Sequence, residues 1–463
     1  MICTIGSRHQ TEIKKQLNIK TIFDMDEEEE KPLLLNEDDD TNGVWRTSNN
    51  TRSSIFPFRS QNSVAGNTFL PIEVPFSNIA QPTEEEPDSV VAVFVVAFDT
   101  RCGNIVEWNT PTEVDLGTVE FKAMPSGAHN IESDFIYFRL KNLFGLSIYE
   151  KLRLDSSIER GARMKSVGLL AASYTTLHRH MQFLENQVRH QLQTPGKYEQ
   201  LEEFFKDRQG MLPPMSSQPE SCLARKIKVD NFPQMQITHP AGCFSQFIQF
   251  FGESIFVLWK LVLLQKRILF YSQPPIGVVC YRVYCACCLG KITLDGFDHK
   301  QPKPYFYVNI ADIDHLETEM SYIACTTESI FHEKNQLYDI YVNNQVVTAT
   351  THHNESILKV NKVDKERYKN LMNHRRDLDH QQCLGDDGLP SEEHFCQTYF
   401  AHLNNQLFQT LLEASMSHDR TLTEDHVRAM GLDPVGDRHF IMDLLELYAI
   451  DVMLMAENPC CPV

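Results

Sequence analysis

The sequence predicts a mixed α/β fold of the α+β kind, in three structured parts that follow a disordered tail. Three observations predict it. Residues 90–170 alternate β-branched and aromatic runs with turn residues, which is typical of an antiparallel sheet. Phe244–Ser272 joins a long apolar helix to a short buried strand, and from Val363 onward apolar residues recur at helical spacing. We therefore expect a sheet with helices, then a central α/β part, then a helical part.

Charge excludes one class of partner. The 463 residues include 43 Lys and Arg against 62 Asp and Glu, a net charge of −19. A protein that binds nucleic acid is expected to carry a basic face or stripe, so this balance argues against a nucleic-acid partner. Met1–Gln10 has no apolar core of a signal peptide, and the 13 cysteines follow no regular spacing. We therefore expect these cysteines to be reduced thiols of a cytoplasmic protein.

Residues 1–87 are predicted to be a disordered acidic tail. Residues 1–90 hold 16 acidic and 8 basic side chains, and the runs Glu27–Glu30 and Asp38–Asp40 are too polar to offset the entropy of ordering. Glu29, Leu33 and Leu34 resemble an acidic dileucine signal, which clathrin adaptors read. The alternative is an ordinary solvated tail, the more usual role of a charge run.

Residues 88–211 are predicted to form the first part, an antiparallel sheet followed by helices. Five strands alternate with turn residues. They are Val90–Phe98, Ile105–Trp108, Phe135–Arg139, Phe144–Tyr149 and Arg163–Leu170. An amphipathic helix at Tyr174–Leu192 and a short one at Tyr198–Phe205 then cover the sheet. Residues 212–233 contain several prolines and serines and are predicted to be a linker.

Residues 234–350 are predicted to form the central α/β part. The helix Phe244–Leu264 is apolar on nearly all faces, which suits either a protein core or a membrane. Lys260 and several other polar residues interrupt it, and a charge near mid-bilayer is costly, so we expect a core helix with Trp259 and Phe251 inside. The remaining elements are a strand at Arg267–Ser272, a helix at Val278–Leu289, strands at Tyr305–Ile310, Ser321–Thr326 and Leu337–Val342, and a turn at Asn343-Asn344 into Gln345–Ala349.

Residues 355–463 are predicted to be helical. Phe395, Tyr399, Leu403, Leu407 and Leu411 recur every four residues. Further along, Thr421 and Glu424 have capping-box spacing, and Gly431 and Pro434 end that helix. Asp437 is placed to cap a last helix whose apolar face is Phe440, Leu444, Leu447 and Tyr448.

The sequence carries no signature of covalent catalysis. It has no phosphate-binding Gly-x4-Gly-Lys-Ser/Thr loop, no His-Glu-x-x-His and no Gly-x-Ser-x-Gly, so we expect neither a cofactor nor a metal. Cys280, Cys285, Cys287 and Cys288 could suggest zinc, redox or palmitoylation chemistry, but the favoured reading is that they are small buried hydrophobes. The Cys460-Cys461-Pro-Val terminus departs from a good prenylation box, which leaves its lipidation open.

Several long strings resemble the DENN module over roughly residues 88–463. They are VAVFVVAFDTRCGNIVEW at Val91–Trp108, ERGARMKSVGLL at Glu159–Leu170, the apolar segment Phe244–Ser272, GVVCYRVYC at Gly277–Cys285, ACTTESIF at Ala324–Phe331 and LYDIYV at Leu337–Val342. The resemblance implies that 88–211 is the longin-like upstream subdomain, 234–350 the central subdomain and 355–463 the helical downstream subdomain.

The resemblance also implies a function in membrane trafficking. Members of this family are guanine nucleotide exchange factors for small Rab-type GTPases, and an exchange factor acts by binding the nucleotide-free GTPase more tightly than the loaded form. By resemblance the GTPase lies across the first two subdomains. We expect the partner surface to be exposed polar residues, namely Asp134, Arg139, Lys141, Lys260 and Gln265. The protein would be cytoplasmic and peripheral on vesicle membranes, with membrane contact only indirect, through the GTPase or an adaptor.

Two other functions stay open. One is a non-catalytic scaffold that uses the same fold to bind GTPases or trafficking partners. The other is a GTPase-activating role, in which Arg160 or Arg163 would supply an arginine finger, although Arg163 is predicted to enter a strand.

Overall fold

The structure, a computed structural model, describes most of the chain from residue 90 onward. The described residues are 90–154, 161–208, 244–294, 302, 304–383 and 392–455. Side chains of 379–383 are not described. The predicted tail and linker lie outside the described residues, as do Glu29, Leu33, Leu34, Arg160, Cys460 and Cys461.

Within the described residues, ten strands form one mixed sheet. They are β1 (Val90–Asp99), β2 (Gly103–Thr110), β3 (Ser133–Leu140), β4 (Leu143–Arg153), β5 (Ala162–Ala171), β6 (Ile268–Tyr271), β7 (Pro304–Tyr307), β8 (Ile323–Thr326), β9 (Ile340–Asn343) and β10 (Val346–Ala349). Their order across the sheet is β10-β9-β6-β8-β7-β3-β4-β5-β1-β2. A separate short pair joins β11 (Thr421–Leu422) to β12 (Met453–Leu454).

Twelve α-helices lie in the described residues. They are α1 (Val119–Ala123), α2 (Met181–Gln193), α3 (Glu199–Arg208), α4 (Phe244–Phe251), α5 (Ile255–Leu263), α6 (Gly277–Leu289), α7 (Ile313–Thr318), α8 (His352–Glu355), α9 (Lys362–Cys383), α10 (Glu392–Met416), α11 (Glu424–Ala429) and α12 (Arg438–Leu447).

The antiparallel half of the sheet consists of β1–β5, as the sequence predicts. β3 pairs with β4, β4 with β5, β5 with β1, and β1 with β2, all antiparallel. The central strands are apolar because helices cover both of their faces: Val95 and Val167 lie opposite one another and neither is exposed. The helix α1 falls in a stretch in which no element is predicted from the sequence.

The other half is parallel, with one antiparallel edge strand. β6 lies between β8 and β9, β7 flanks β8, and β10 turns back along β9. Val346 pairs with Asn343, so the hairpin turn is Asn344-Gln345 and the predicted turn at Asn343-Asn344 is wrong by one residue. Asn344 supplies the left-handed backbone that such a turn requires, with φ of 59°.

The long apolar segment is a core helix, but it is broken. A 3₁₀ turn at Gly252–Ser254 separates α4 from α5, because Gly252 has φ of 56°. All nine residues of α5 are buried, and Trp259 and Phe251 are inside as predicted. By length and composition alone Phe244–Leu263 could cross a membrane, yet 67% of its most apolar window is buried within the fold.

Two capping predictions in the helical part are wrong. Thr423, not Thr421, is the N-cap of α11, and its hydroxyl accepts from the backbone N–H of His426. Thr421 instead pairs with Met453 in the short sheet. Asp437 lies at the start of α12 but does not cap it with its side chain, because its carboxylate is engaged in the core. On α12, Leu447 is also 45% exposed and does not belong to the buried face.

Candidate functional site

The two halves of the sheet meet at a junction, which we define as β3, β7 and the side chains that contact across them. β3 joins β7 through one residue pair, Phe138 and Tyr307. The start of α6 also packs against β3: a Cβ placed on Gly277 would lie 2.4 Å from the carbonyl oxygen of Phe135. Only glycine permits that approach, so the helix and strand lie in direct backbone contact there.

Asp134 connects the halves from within the junction. Its carboxylate accepts hydrogen bonds from the backbone N–H groups of Ile276 and Gly277 at 2.6 and 3.1 Å, at the N-terminus of α6. The side chain is buried, so the expectation that Asp134 is exposed is wrong. Burial raises the pKa of Asp134 to about 7, against the opposing effect of its backbone hydrogen bonds. The residue therefore holds the junction together rather than presenting a free carboxylate.

A second buried contact crosses the junction at Lys122. Its ammonium lies 2.6 Å from Asp312 Oδ2 and 3.3 Å from the carbonyl oxygen of Tyr307. Burial lowers the pKa of Lys122, while Asp312 opposes that shift. Nearby, burial raises the pKa of Glu328 to about 7, and its carboxylate accepts from the N–H of Ile310.

Sequence reasoning did not find the Lys122 contact. One local signal was available, because Asn309 and Asp312 form a capping box at spacing three, which fixes the carboxylate that Lys122 meets. The lysine itself carries no such signal, since it lies on the unassigned α1.

Arg139, which is half-buried rather than exposed as expected, and the exposed Lys141 form the rim of the junction. The Arg139 guanidinium lies 4.4 Å from the ring centre of Tyr305 on β7, a cation–π contact between the halves. Arg139 Nε also donates to the carbonyl oxygen of Lys141 at 2.8 Å. Lys141 is in the left-handed region at φ of 55° and pairs with Asp115 at 2.5 Å, both exposed. Their role in binding a partner stays a prediction.

Lys260 is not a surface residue. It is 1% exposed, and its ammonium lies 2.8 Å from Asp364 Oδ2 and 2.7 Å from Asp437 Oδ1, both also buried. The expectation of an exposed Lys260 is therefore wrong, because a lysine on a wholly buried helix needs a counter-charge inside the core. Gln265 is half-buried in the turn after α5, with φ of 51°. Its role in binding stays a prediction.

The remaining candidates have structural surroundings. Cys280, Cys285 and Cys287 are buried and Cys288 is half-buried, as expected of small hydrophobic side chains. No group of three or more residues suited to a metal ion lies among the described residues. Arg163 lies in β5 as predicted, and its guanidinium donates to the carbonyl oxygen of Leu192 at 2.6 Å.

The buried Asp134 gives a pH-dependent stability. Between about pH 4 and pH 7 the folded state keeps a proton that the unfolded chain has released, so the free energy of unfolding falls as pH rises, by about 1.4 kcal/mol per pH unit for this residue. Asp134→Asn cannot titrate and is expected to flatten that slope, although it is less stable throughout. Urea unfolding at several pH values measures the slope. An unchanged slope in Asp134→Asn would contradict the assignment, whereas Asp115→Asn on the exposed rim is the control that should leave it unchanged.

An antiparallel sheet half, a parallel half joined edge to edge with it, and a helical part packed on the latter agree with the three-part fold expected of a DENN-domain protein. The family model described as DENN domain-containing protein 11 matches residues 93–355. Proteins of that description from Xenopus laevis and Mus musculus are each 55% identical to this chain over 81% of its length, covering 88% and 84% of their own. One from Danio rerio is 54% identical over 82% of this chain and 79% of its own length. The chain belongs to the family of DENN domain-containing protein 11.

Proposed function

We propose that this protein is a guanine nucleotide exchange factor for a small GTPase of the Rab type. Membership of a DENN-domain family carries the proposal, since such proteins generally act as Rab exchange factors. The work of an exchange factor is differential binding: a surface that fits the nucleotide-free GTPase better than the GDP-bound form lowers the barrier to GDP release. That activity needs a shaped and rigid surface rather than a nucleophile, a metal or a cofactor.

The junction supports the proposal because it offers such a surface. On the antiparallel half, Arg139 stacks on the buried ring of Tyr305 of the parallel half, and its Nε also donates to the carbonyl oxygen of Lys141, so the rim of one half is held against the other. The buried contacts of Asp134 and Lys122 fix the halves relative to each other. A rigid surface of this kind loses little free energy on binding. We propose further that the protein acts in the cytoplasm, in vesicle trafficking.

The test is release of a fluorescent GDP analogue from a panel of purified Rab proteins, with the full chain in catalytic amounts. Faster release from one or two members supports exchange activity and names the substrate. Tight binding to a nucleotide-free member without faster release would instead support the scaffold function. If no member of the panel binds the protein and none releases the analogue faster, the proposal is overturned.

Arg139→Glu is expected to lower the stimulated rate of GDP release at least about tenfold. Reversing a charge inside an interface often costs more than about 1.4 kcal/mol, and 1.4 kcal/mol corresponds to a factor of ten. Lys206→Glu makes the same charge change at an exposed position of α3, away from the junction, and should leave the rate unchanged. Thermal unfolding of both variants shows whether the fold is intact. Equal rates for the two variants would remove Arg139 from the partner surface.

A further inference from the structure

One exposed face of α9 carries a line of cations in an otherwise acidic protein. The whole chain has a net charge of −19, yet residues 359–376 contain seven Lys or Arg against two acidic residues. The exposed members on one face of the helix are Lys362, Lys365, Lys369 and Arg376. At 100° per residue these four fall within about 60° of the helix circumference and extend over about 21 Å. We call them the basic stripe.

The opposite face of α9 is fixed in the core. Asp364 pairs with Lys260 at 2.8 Å, and Leu371 is fully buried. Arg367 is also buried and donates to the carbonyl oxygen of Gly431. Because these three anchors lie on the inner side, the helix cannot turn to hide its cations, and the basic stripe is held towards solvent.

The basic stripe has few counter-charges within the described part of the chain. The structure records one ion pair for it, between Lys365 and Glu253 at 3.8 Å, with side chains 58% and 45% exposed. So loose and exposed a pair contributes little and leaves the ammonium available. Two further exposed acidic residues of α9, Glu366 and Asp377, lie beside the stripe. Glu366 lines with Glu253 a shallow groove of about 550 Å³. Tyr368 and Met372 give the floor of that groove an apolar character.

We propose that the basic stripe binds an anionic membrane surface through the phosphate and carboxylate groups of lipid headgroups. A straight line of separate cations fits a fluid, negatively charged surface, whose headgroups can move to meet each charge. Three of the four are lysines, which act as point charges and do not impose the bidentate geometry that arginine requires. The half-buried Met372 and Tyr368 border the line on one side, where an apolar edge suits the headgroup boundary.

The overall negative charge does not prevent this contact. At physiological ionic strength a charge more than about 8 Å away is largely screened, so the local charge decides the interaction. Each Lys or Arg held near an anionic leaflet strengthens binding roughly fivefold. Four cations acting together therefore suffice for reversible binding, and they would place the chain directly at a membrane rather than only through a partner.

The experiment is co-sedimentation of the full chain with phosphatidylcholine vesicles, with and without phosphatidylserine. We expect binding only to the anionic vesicles, and expect added salt to weaken it. Lys365→Glu combined with Lys369→Glu should lower the apparent affinity at least about tenfold, and glutamate is as good a helix former as lysine. Circular dichroism checks that the variant is folded.

A matched control makes the same charge change elsewhere. Lys197→Glu combined with Lys206→Glu alters two exposed lysines of the first part of the chain and should leave vesicle binding unchanged. Equal loss of binding in both double variants would show only a net-charge effect and would overturn the proposal. So would failure of the unmodified chain to bind anionic vesicles, or binding of an acidic peptide or an oligonucleotide in their place.

This proposal does not depend on the exchange activity, and the two can fail separately. The Lys365→Glu, Lys369→Glu variant is expected to release GDP from a soluble GTPase at the normal rate when no vesicles are present. Adding anionic vesicles that carry a lipid-anchored GTPase should then speed exchange for the unmodified chain and not for the variant. A chain that binds vesicles but accelerates no GTPase would retain the membrane contact and lose the exchange function.

Discussion

Replacing Lys260 by methionine is expected to lower the free energy of unfolding by about 3–5 kcal/mol, because it leaves two carboxylates in the core without their cation. Lys260, Asp364 and Asp437 are each at most 4% exposed, and both carboxylates lie within 2.8 Å of the ammonium. Methionine keeps a long apolar stem, so the loss reports the charge rather than the packing. Denaturant unfolding at neutral pH measures it.

An exposed ion pair provides the control. Lys141 and Asp115 are even closer, at 2.5 Å, but their side chains are 66% and 71% exposed, so Lys141→Met should cost at most about 1 kcal/mol. A second control combines Lys260→Met with Asp364→Asn and Asp437→Asn, which removes the uncompensated charges and should recover much of the stability. Equal costs for Lys260→Met and Lys141→Met would show that burial does not set the energetics of this group.

The same group explains how the helical part is attached to the rest. Lys260 belongs to α5, Asp364 belongs to α9, and Asp437 directly precedes α12. Asp437 also accepts from the side chain of Asn361 at 3.0 Å, which extends the network. Because the contacts join segments far apart in the chain, they order the packing of the helices as well as stabilising it.

Elements with a regular pattern were predictable from the sequence. The fifth strand was expected at Arg163–Leu170 and is Ala162–Ala171, and the helix expected at Val278–Leu289 begins one residue earlier, at Gly277. A buried strand or helix displays its period in consecutive residues, so a local window contains the whole signal. The break at Gly252 was missed because a glycine inside an apolar run is compatible with either a continuous or an interrupted helix.

The exposure of polar residues was not predictable in the same way. Asp134 and Lys260 were expected at the surface, yet their partners lie 142 and 104 residues away along the chain. No local pattern shows that a polar side chain has a distant counterpart, and a lone polar residue is more often exposed than buried. The junction of the two halves could not be predicted for the same reason, because only one residue pair, Phe138 and Tyr307, joins β3 to β7.

These contacts also show why the junction and the helical part are separable in function. Asp134 and Lys122 fix the two halves of the sheet, whereas Lys260 and its partners fix the helices on the far side of α5. Under the proposed function, loss of the first group would change the partner surface directly. Loss of the second would act first on stability, and on exchange only as the folded fraction falls.

Trp259→Ala is expected to cost about 3–5 kcal/mol, because it removes the largest fully buried side chain among the described residues and leaves a cavity that the core can close only in part. The indole packs 5.9 Å from the ring of Phe440 and 5.3 Å from the guanidinium of Arg367, measured to the ring centres. Its Nε1–H donates to Asn404 Oδ1 at 2.6 Å. Denaturant unfolding, followed by circular dichroism so that the readout is independent of the indole, measures the loss.

Two further variants separate the causes of that loss. Trp259→Phe keeps an aromatic ring but leaves Asn404 Oδ1 without its donor, which should cost about 1–3 kcal/mol of the total. Trp108→Ala removes an indole that is only half-buried, stacked on Tyr198 at 4.9 Å, and should cost less than Trp259→Ala. If the two alanine variants lost equal stability, the cavity at α5 would not be the cause. If Trp108→Ala costs less than Trp259→Ala, the result supports the conclusion that the packing around α5 stabilises the helical part.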